Sequence, residues 1–264
     1  MIRLLFLGDI VGNPGRQAVS ALVRPLKDQQ RTDLVIANCE NAAGGVGITP
    51  PIVKELFKSG IDVLTSGNHA WDKKEGIPLY DSEAMLLRPA NYPTTKYYTT
   101  PGRGSLVIET KKGVKIGVIN LIGRVFLNSY DCPFQKADEE IEKISRSAKV
   151  ILVDFHAETT SEKKAMAFFL DGRVSALVGT HTHVQTADEQ ILKSGMAYIT
   201  DAGMTGPHDS VIGMDKEKVL ERFLTKRPAR YEVAKQDIRL QGVIVDVDED
   251  TGKAIAIRRV DEKP

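Results

Sequence analysis

The chain has 264 residues, 42% of them hydrophobic and 27% charged, with a net charge of +1. That length allows a substantial buried core, and the near-neutral balance excludes a protein that coats nucleic acid through a basic excess. The apolar start, Met1 to Leu7, is too short for a signal peptide, and no stretch approaches the roughly 20 apolar residues of a membrane span. Two cysteines, Cys39 and Cys132, make no disulfide framework, so the cytoplasm is the expected compartment and no membrane partner is expected.

In chain order, short apolar runs alternate with helix-like segments, the pattern of an α/β sandwich. The first run is Ile2 to Leu7. Pro14 sits where a helix can start, with Ala18, Leu22 and Leu26 at helical spacing. Leu34 to Ala37 is a second strand, followed by a polar, glycine-rich loop from Asn38 to Gly47. A helix is expected after Thr49, a cap residue, and Ile61 to Leu64 is a third strand. Residues Pro89 to Gly104 read as loop. Leu106 to Glu109 and Val114 to Leu121 form a hairpin about Lys112-Gly113. Ala137 to Ala148 reads as a helix, Val150 to Phe155 as a buried strand, Ser161 to Leu170 as a helix, and Ala176 to Val178 and Ala197 to Ile199 as strands. A final strand pair spans Gln241 to Val247 and Ala254 to Arg259. No linker or repeat interrupts the chain, so residues 1–264 are read as one domain.

The residues that end these runs carry the chemistry. Leu7 is followed by Gly8-Asp9, Ala37 by Asn38-Cys39-Glu40-Asn41, and Leu64 by Gly67-Asn68-His69 a few residues on. Phe155 runs into His156, Val178 into Gly179-Thr-His-Thr-His183, and Ile199 into Thr200-Asp201. In open α/β sheets, sites form beyond the carboxyl ends of strands, where such residues converge. Any one histidine here reads well as a hydrogen-bonded strand-end residue. Four of the five (His69, His156, His181, His183) in equivalent positions, with Asp9, Glu40 and Asn68 beside them, point instead to a metal cluster. In an extended segment, His181 and His183 point the same way, about 6.6 Å apart. That spacing suits two cations about 3.5–4 Å apart. Mixed carboxylate, imidazole and amide donors suit manganese or iron, with zinc as a further option.

Asp9, Asn68-His69 and His181-x-His183, in this order after successive strands, resemble the calcineurin-like metallophosphoesterases. The histidine usual two residues after the first aspartate is Val11 here, and Glu40-Asn41 stands in place of the usual bridging aspartate. With these departures, Gly8-Asp-Ile-Val-Gly-x-Pro-Gly-Arg16, Gly67-Asn-His-x-Trp-Asp-Lys-Lys74, Asp154-Phe-His-Ala-Glu158, Gly179-Thr-His-Thr-His-Val-Gln-Thr-Ala-Asp188 and Asp201-Ala-Gly-Met-Thr-Gly206 resemble the YmdB-like bacterial phosphodiesterases from residue 2 to about 247. The resemblance implies a four-layer αββα sandwich of two mixed sheets flanked by helices. It also implies two metal ions and hydrolysis of small phosphodiesters including 2′,3′-cyclic nucleotides; RNA ends and other diesters present the same phosphorus, and the sequence does not choose among them. One metal would take Asp9, Asn41 and His183, the other Asn68, His156 and His181, with Glu40 shared between them. A bridging hydroxide would attack phosphorus while His69, not itself a ligand, serves the leaving oxygen.

Four further residues are candidates around the site. Asp154, two residues before His156, either orients a ligand imidazole or pairs with a lysine, and Asp201 has a similar claim on His181 or His183. Arg124 follows a strand within reach of phosphate. His208 lies in a loop where it is either a substrate contact or a surface residue. Lys163-Lys164 and Lys216 to Lys218 read as solvated helix faces, Cys39 as a small buried residue, and the Gly8, Gly12 and Gly15 turn as a turn near the metal rather than a dinucleotide fingerprint. Two rival classes remain beside the phosphodiesterase. One is a metal-stabilised regulatory protein that binds RNA or a protein partner with little turnover; the other is an oxidoreductase or nucleotide-binding enzyme that uses the first glycine turn. A homo-oligomer is compatible with the sequence.

Overall fold

The computed structural model describes residues 1–264. From the start, the elements are β1 (Ile2–Leu7), β2 (Asp9–Ile10), α1 (Gly12–Gln30), β3 (Leu34–Asn38), α2 (Pro50–Lys58), β4 (Val63–Thr65) and the short α3 (Leu79–Ser82). The second half holds β5 (Ser105–Glu109), β6 (Lys115–Ile122), α4 (Pro133–Ser145), β7 (Val150–His156), α5 (Thr160–Leu170) and β8 (Ala176–Thr180). It continues with β9 (Gln190–Ile191), β10 (Ala197–Ile199), β11 (Met204–Pro207), α6 (Lys216–Thr225), β12 (Ile238–Val247) and β13 (Ala254–Glu262).

The strands form two mixed sheets. One runs β2-β11-β12-β1-β3-β4, with β13 also on β12; the other runs β5-β6-β7-β8-β10-β9. The alternation along β1 shows how they stack. Ile2, Leu4 and Phe6 point to the core between the sheets, where they meet Ile116, Val118 and Leu152 of the second sheet. Leu5 and Leu7 point the other way, into a core shared with Val19 and Val23 of α1 and Val53 and Leu56 of α2. The second sheet is covered likewise on its outer face, where Ile141 and Ile144 of α4 and Met166 and Leu170 of α5 pack on Val153 and Phe155. Strands buried on both faces read as continuous apolar runs, which is why β1, β3 and β7 carry almost no polar residue before their last positions. The architecture is the four-layer αββα sandwich.

The hairpin of β5 and β6 pairs Glu109 with Lys115, and Gly113 takes the positive φ of 76° its turn requires. Differences from the sequence reading lie where periodicity gives little signal. Strands β2, β9 and β11 are two to four residues long. Helix α6 follows no apolar run; it starts because the Asp215 side chain accepts the backbone N–H groups of Glu217 and Lys218.

Candidate active site

Within the first sheet β1, β3 and β4 run parallel, and within the second β6, β7, β8 and β10 do. Their carboxyl ends deliver the polar residues to one end of the sandwich. Backbone approach is close there: a Cβ on Gly67 would sit 2.3 Å from Glu40 Oε2 and from His156 Nε2, so the turn from β4 to Asn68 needs glycine.

One group of donors converges on His156 Nε2. Glu40 Oε1, Asn68 Oδ1 and His181 Nδ1 each lie 3.0 Å from it. One imidazole nitrogen cannot satisfy three such neighbours with a single proton. Donor atoms about 3 Å apart are what neighbouring ligands around a shared cation give when the bonds are about 2.0–2.2 Å. Glu40, His156 and His181 accordingly form a metal-capable cluster. A second group lies beside it. Asp9 Oδ1 and Asn41 Oδ1 are buried acceptors with no hydrogen-bond partner, an arrangement costly enough to ask for an explanation. His183 Nε2 faces Asp9 Oδ1 at 3.8 Å, while its Nδ1 bonds the Ile212 carbonyl at 2.9 Å. With Nδ1 as donor, two lone pairs face each other across a gap that a cation would bridge. The donor set therefore fits two metal ions, with Glu40 adjoining the first group through Oε1 while its Oε2 accepts the His69 backbone N–H.

The electrostatics of the bare protein show the same strain. Burial pushes the Asp9 carboxyl up, against the pull of His183 and His156. Burial alone would raise Glu40 too, but the charge and hydrogen bond of His156 hold it down at about 2. Burial works to lower His156, and Glu40 reverses this, raising the imidazole to about 9. His181, buried and next to charged His156, falls to about 3.

Outer contacts fix the ligand side chains. His181 Nε2 meets Glu158 Oε2 at 2.9 Å, the carboxylate–histidine arrangement that sets a ligand's tautomer and orientation. His156 Nδ1 bonds Thr180 Oγ1, which donates to Asp154 Oδ1 at 2.7 Å; Thr65 and Asn38 donate to the other oxygen. His181 and His183 have φ of 100° and 63°, a region strained for side-chain-bearing residues. Between them, Thr182 gives its backbone N–H and its hydroxyl to Asp201, which anchors the strained loop. His69 is half-buried, and its Nδ1 lies 2.8 Å from Asp72 Oδ2; with Nδ1 as donor, Nε2 is left for the cavity that His69 lines.

A family model described as YmdB-like protein matches residues 5–260. The chain belongs to the YmdB-like family. A 2′,3′-cyclic-nucleotide 2′-phosphodiesterase of Bacillus subtilis (strain 168) is 49% identical over 259 residues, which cover 98% of this chain and 96% of that protein. Among solved structures, a hypothetical protein from Thermus thermophilus is 40% identical with a TM-score of 0.91, covering 99% of each chain. A novel phosphatase from Mycoplasma pneumoniae is 38% identical with a TM-score of 0.93, covering 99% of this chain and 93% of that one. This YmdB-like chain is an enzyme, a hydrolase of phosphoric ester bonds.

In this family member, the outer candidates fall in different places. Asp154 touches neither a ligand imidazole nor a lysine; it acts on His156 through Thr180. Asp201 contacts neither His181 nor His183 by its side chain but pairs with Lys163 Nζ at 2.7 Å, and both are completely buried. The reading of Lys163 as part of a solvated face is therefore corrected: position 163 lies on the inner side of α5, and only Lys164 is exposed. Arg124 follows Gly123, whose N–H bonds the His156 carbonyl; its own backbone N–H is on Glu162 and its guanidinium beside Cys132. His208 is half-buried. It lines a cavity of about 240 Å³ with His183 and Gln185, Nδ1 on the Gly206 carbonyl and Nε2 buried without a partner. Sequence reasoning missed Glu158, Thr180, Thr65, Asn38 and Lys163. Asn38, Glu158 and Thr180 had a signal, since each sits within two residues of a candidate ligand.

Proposed function

We propose that the protein is a dinuclear-metal phosphodiesterase acting on 2′,3′-cyclic phosphates. The observation that carries this is the pair of adjoining donor groups: three atoms 3.0 Å from His156 Nε2, and two buried, unpartnered acceptors on Asp9 and Asn41. The similarity to the Bacillus cyclic-nucleotide phosphodiesterase supports the substrate class. Asp9, Asn41 and His183 would hold one cation and Asn68, His156 and His181 the other, with Glu40 shared. When bound, two such cations neutralise phosphoryl oxygens and make a water molecule acidic enough to act as nucleophile near neutral pH. Iron and manganese match the mixed oxygen and imidazole donors. Two free cysteines suit a reducing compartment, and we place the enzyme in the cytoplasm.

The chain's own residues then do the rest. His69, with Asp72 on Nδ1, presents Nε2 to the leaving oxygen as the proton source. Glu158 and the Asp154–Thr180 relay keep His181 and His156 from rotating. In the reaction a water oxygen forms the new bond to phosphorus, the bond from phosphorus to O2′ breaks, and the departing oxygen takes up a proton to give a 2′-hydroxyl and a 3′-phosphate. Hydrolysis of 2′,3′-cyclic AMP by wild type and by Glu40→Gln tests the reading. Wild type should yield the 3′-phosphate, while the variant stays folded and loses turnover. Retained turnover in Glu40→Gln would remove Glu40 from the shared position.

A further inference from the structure

The ligand loops make only part of the cavity above the candidate site. A space of about 440 Å³ that Glu40 and His69 line is also lined by Ile212, Met214, Val219, Phe223 and Tyr231. These apolar residues come from residues 211–231, the segment that includes α6. Phe223 and Tyr231 also line a second cavity of about 470 Å³ with Arg222 and Lys226. Tyr231 lines a third, of about 650 Å³, with Arg230 and Lys235. The aromatic pair thus stands between the site and a basic surface.

Charge is concentrated there. Residues 216–235 hold seven lysines and arginines against three glutamates, whereas the whole chain nets +1, so the remainder of the protein is net negative. Lys216 is tied to Asp209, but Arg222, Lys226 and Arg230 are exposed and enter no ion pair with a carboxylate. The Arg222 guanidinium lies 5.1 Å from the Tyr231 ring and Lys226 Nζ 5.7 Å from that of Phe223. Cations interleaved with exposed aromatic rings are the recognition surface of single-stranded nucleic acid: rings stack bases, and cations follow the backbone. A free cyclic nucleotide has one phosphate, and that one belongs at the metal-site residues. It leaves the cations beyond Phe223 and Tyr231 nothing to neutralise.

Resting on the phosphodiesterase reading, we propose that the substrate is the 2′,3′-cyclic phosphate end of a single-stranded RNA. The terminal base lies against Phe223 and Tyr231, and the phosphates 5′ to it lie on Arg222, Lys226 and Arg230. A 2′,3′-cyclic phosphate requires a 2′-oxygen, so the polymer is RNA.

The test compares 2′,3′-cyclic AMP with an adenosine pentanucleotide that ends in a 2′,3′-cyclic phosphate, using metal-loaded enzyme. The pentanucleotide should show kcat/KM at least about tenfold higher, through KM, with an advantage that shrinks as salt is raised. Replacing Arg222, Lys226 and Arg230 together by alanine should bring the ratio of the two kcat/KM values towards one. In the Phe223→Ala, Tyr231→Ala double variant, KM should rise about tenfold on both substrates. As a readout apart from turnover, fluorescence anisotropy of a labelled pentanucleotide 3′-phosphate should show binding to wild type that the triple variant loses. Hydrolysis of the cyclic nucleotide with no pentanucleotide advantage overturns this proposal and leaves the phosphodiesterase reading standing. An advantage that survives the triple variant also overturns it. If neither substrate turns over, the phosphodiesterase reading itself fails and the RNA-end proposal falls with it.

Discussion

Two regions face the same cavity and are built by opposite means. The ligand cluster hangs from the ends of five parallel strands in two sheets, and Asp9, Glu40 and His156 are buried completely or nearly so. Its side chains are held by further buried contacts such as Thr180 on Asp154 and Thr182 on Asp201. The segment around α6 is a loop and a ten-residue helix whose Phe223 is 64% exposed. The first region holds its side chains by buried contacts, as the positioning needed to polarise a phosphodiester demands. The second offers adaptable surface, as discriminating among substrates that share one phosphorus demands. On the proposed reading, chemistry sits in the strand ends and substrate choice in the α6 segment.

That division makes changes in the two regions fail differently. The largest effect is expected for Glu40→Gln: loss of kcat by about 10³-fold or more with the melting temperature and circular dichroism retained, since the proposed function has this one carboxylate serve both donor groups. His69→Ala should come next, lowering kcat by about 10²–10⁴-fold. Metal content, read by elemental analysis, should be unchanged, and loss of metal there would make His69 a ligand. Lys163→Met leaves Asp201 as an unpaired buried carboxylate. It should cost roughly 3–5 kcal/mol of stability, seen as a fall in melting temperature of about 10 °C. A smaller change would mean that Thr182 and backbone donors suffice for Asp201. Changes in the α6 segment should move KM by about tenfold and leave metal content, read by elemental analysis, alone.

Proton linkage gives a finer distinction. The metal-free imidazole of His156 is raised from its ordinary value to about 9 by Glu40, so it is protonated at pH 7.5, and a metal ligand must be neutral. Metal uptake at pH 7.5 should therefore release about one proton, measurable by calorimetry in buffers of different ionisation enthalpy. Because the folded pKa is raised, His156 contributes stability that is fully present below its unfolded value and is lost as pH rises through about 9. The melting temperature of metal-free protein should fall over that range, and that of loaded protein should not follow it.

How much of this was visible in the sequence divides along the same line. Strands covered on both faces announce themselves as apolar runs, so β1, β3, β7 and β8 were legible, and with them the polar residues that end each one. Once Asp9, Glu40, Asn68, His156 and His181 are placed at strand ends, the fold brings them together without further information. The partners of those residues were hidden because they depend on pairing between strands and on which side of a helix faces inward. Thr65 and Asn38 reach Asp154 across 89 and 116 residues of sequence, and Lys163 faces inward on a helix whose apolar face is weakly defined. Helix α6 was hidden for the opposite reason. It covers no core of its own, so its hydrophobic residues follow the cavity rather than a packing period.

The most direct test of the central claim is to strip the protein with chelator, titrate Mn²⁺ or Fe²⁺ back, and follow bound metal and 2′,3′-cyclic AMP hydrolysis on the same samples. Two ions per chain, with activity absent from the stripped protein and restored as the second ion binds, is the predicted result. Full activity in the stripped protein, or saturation at a single ion, would contradict it.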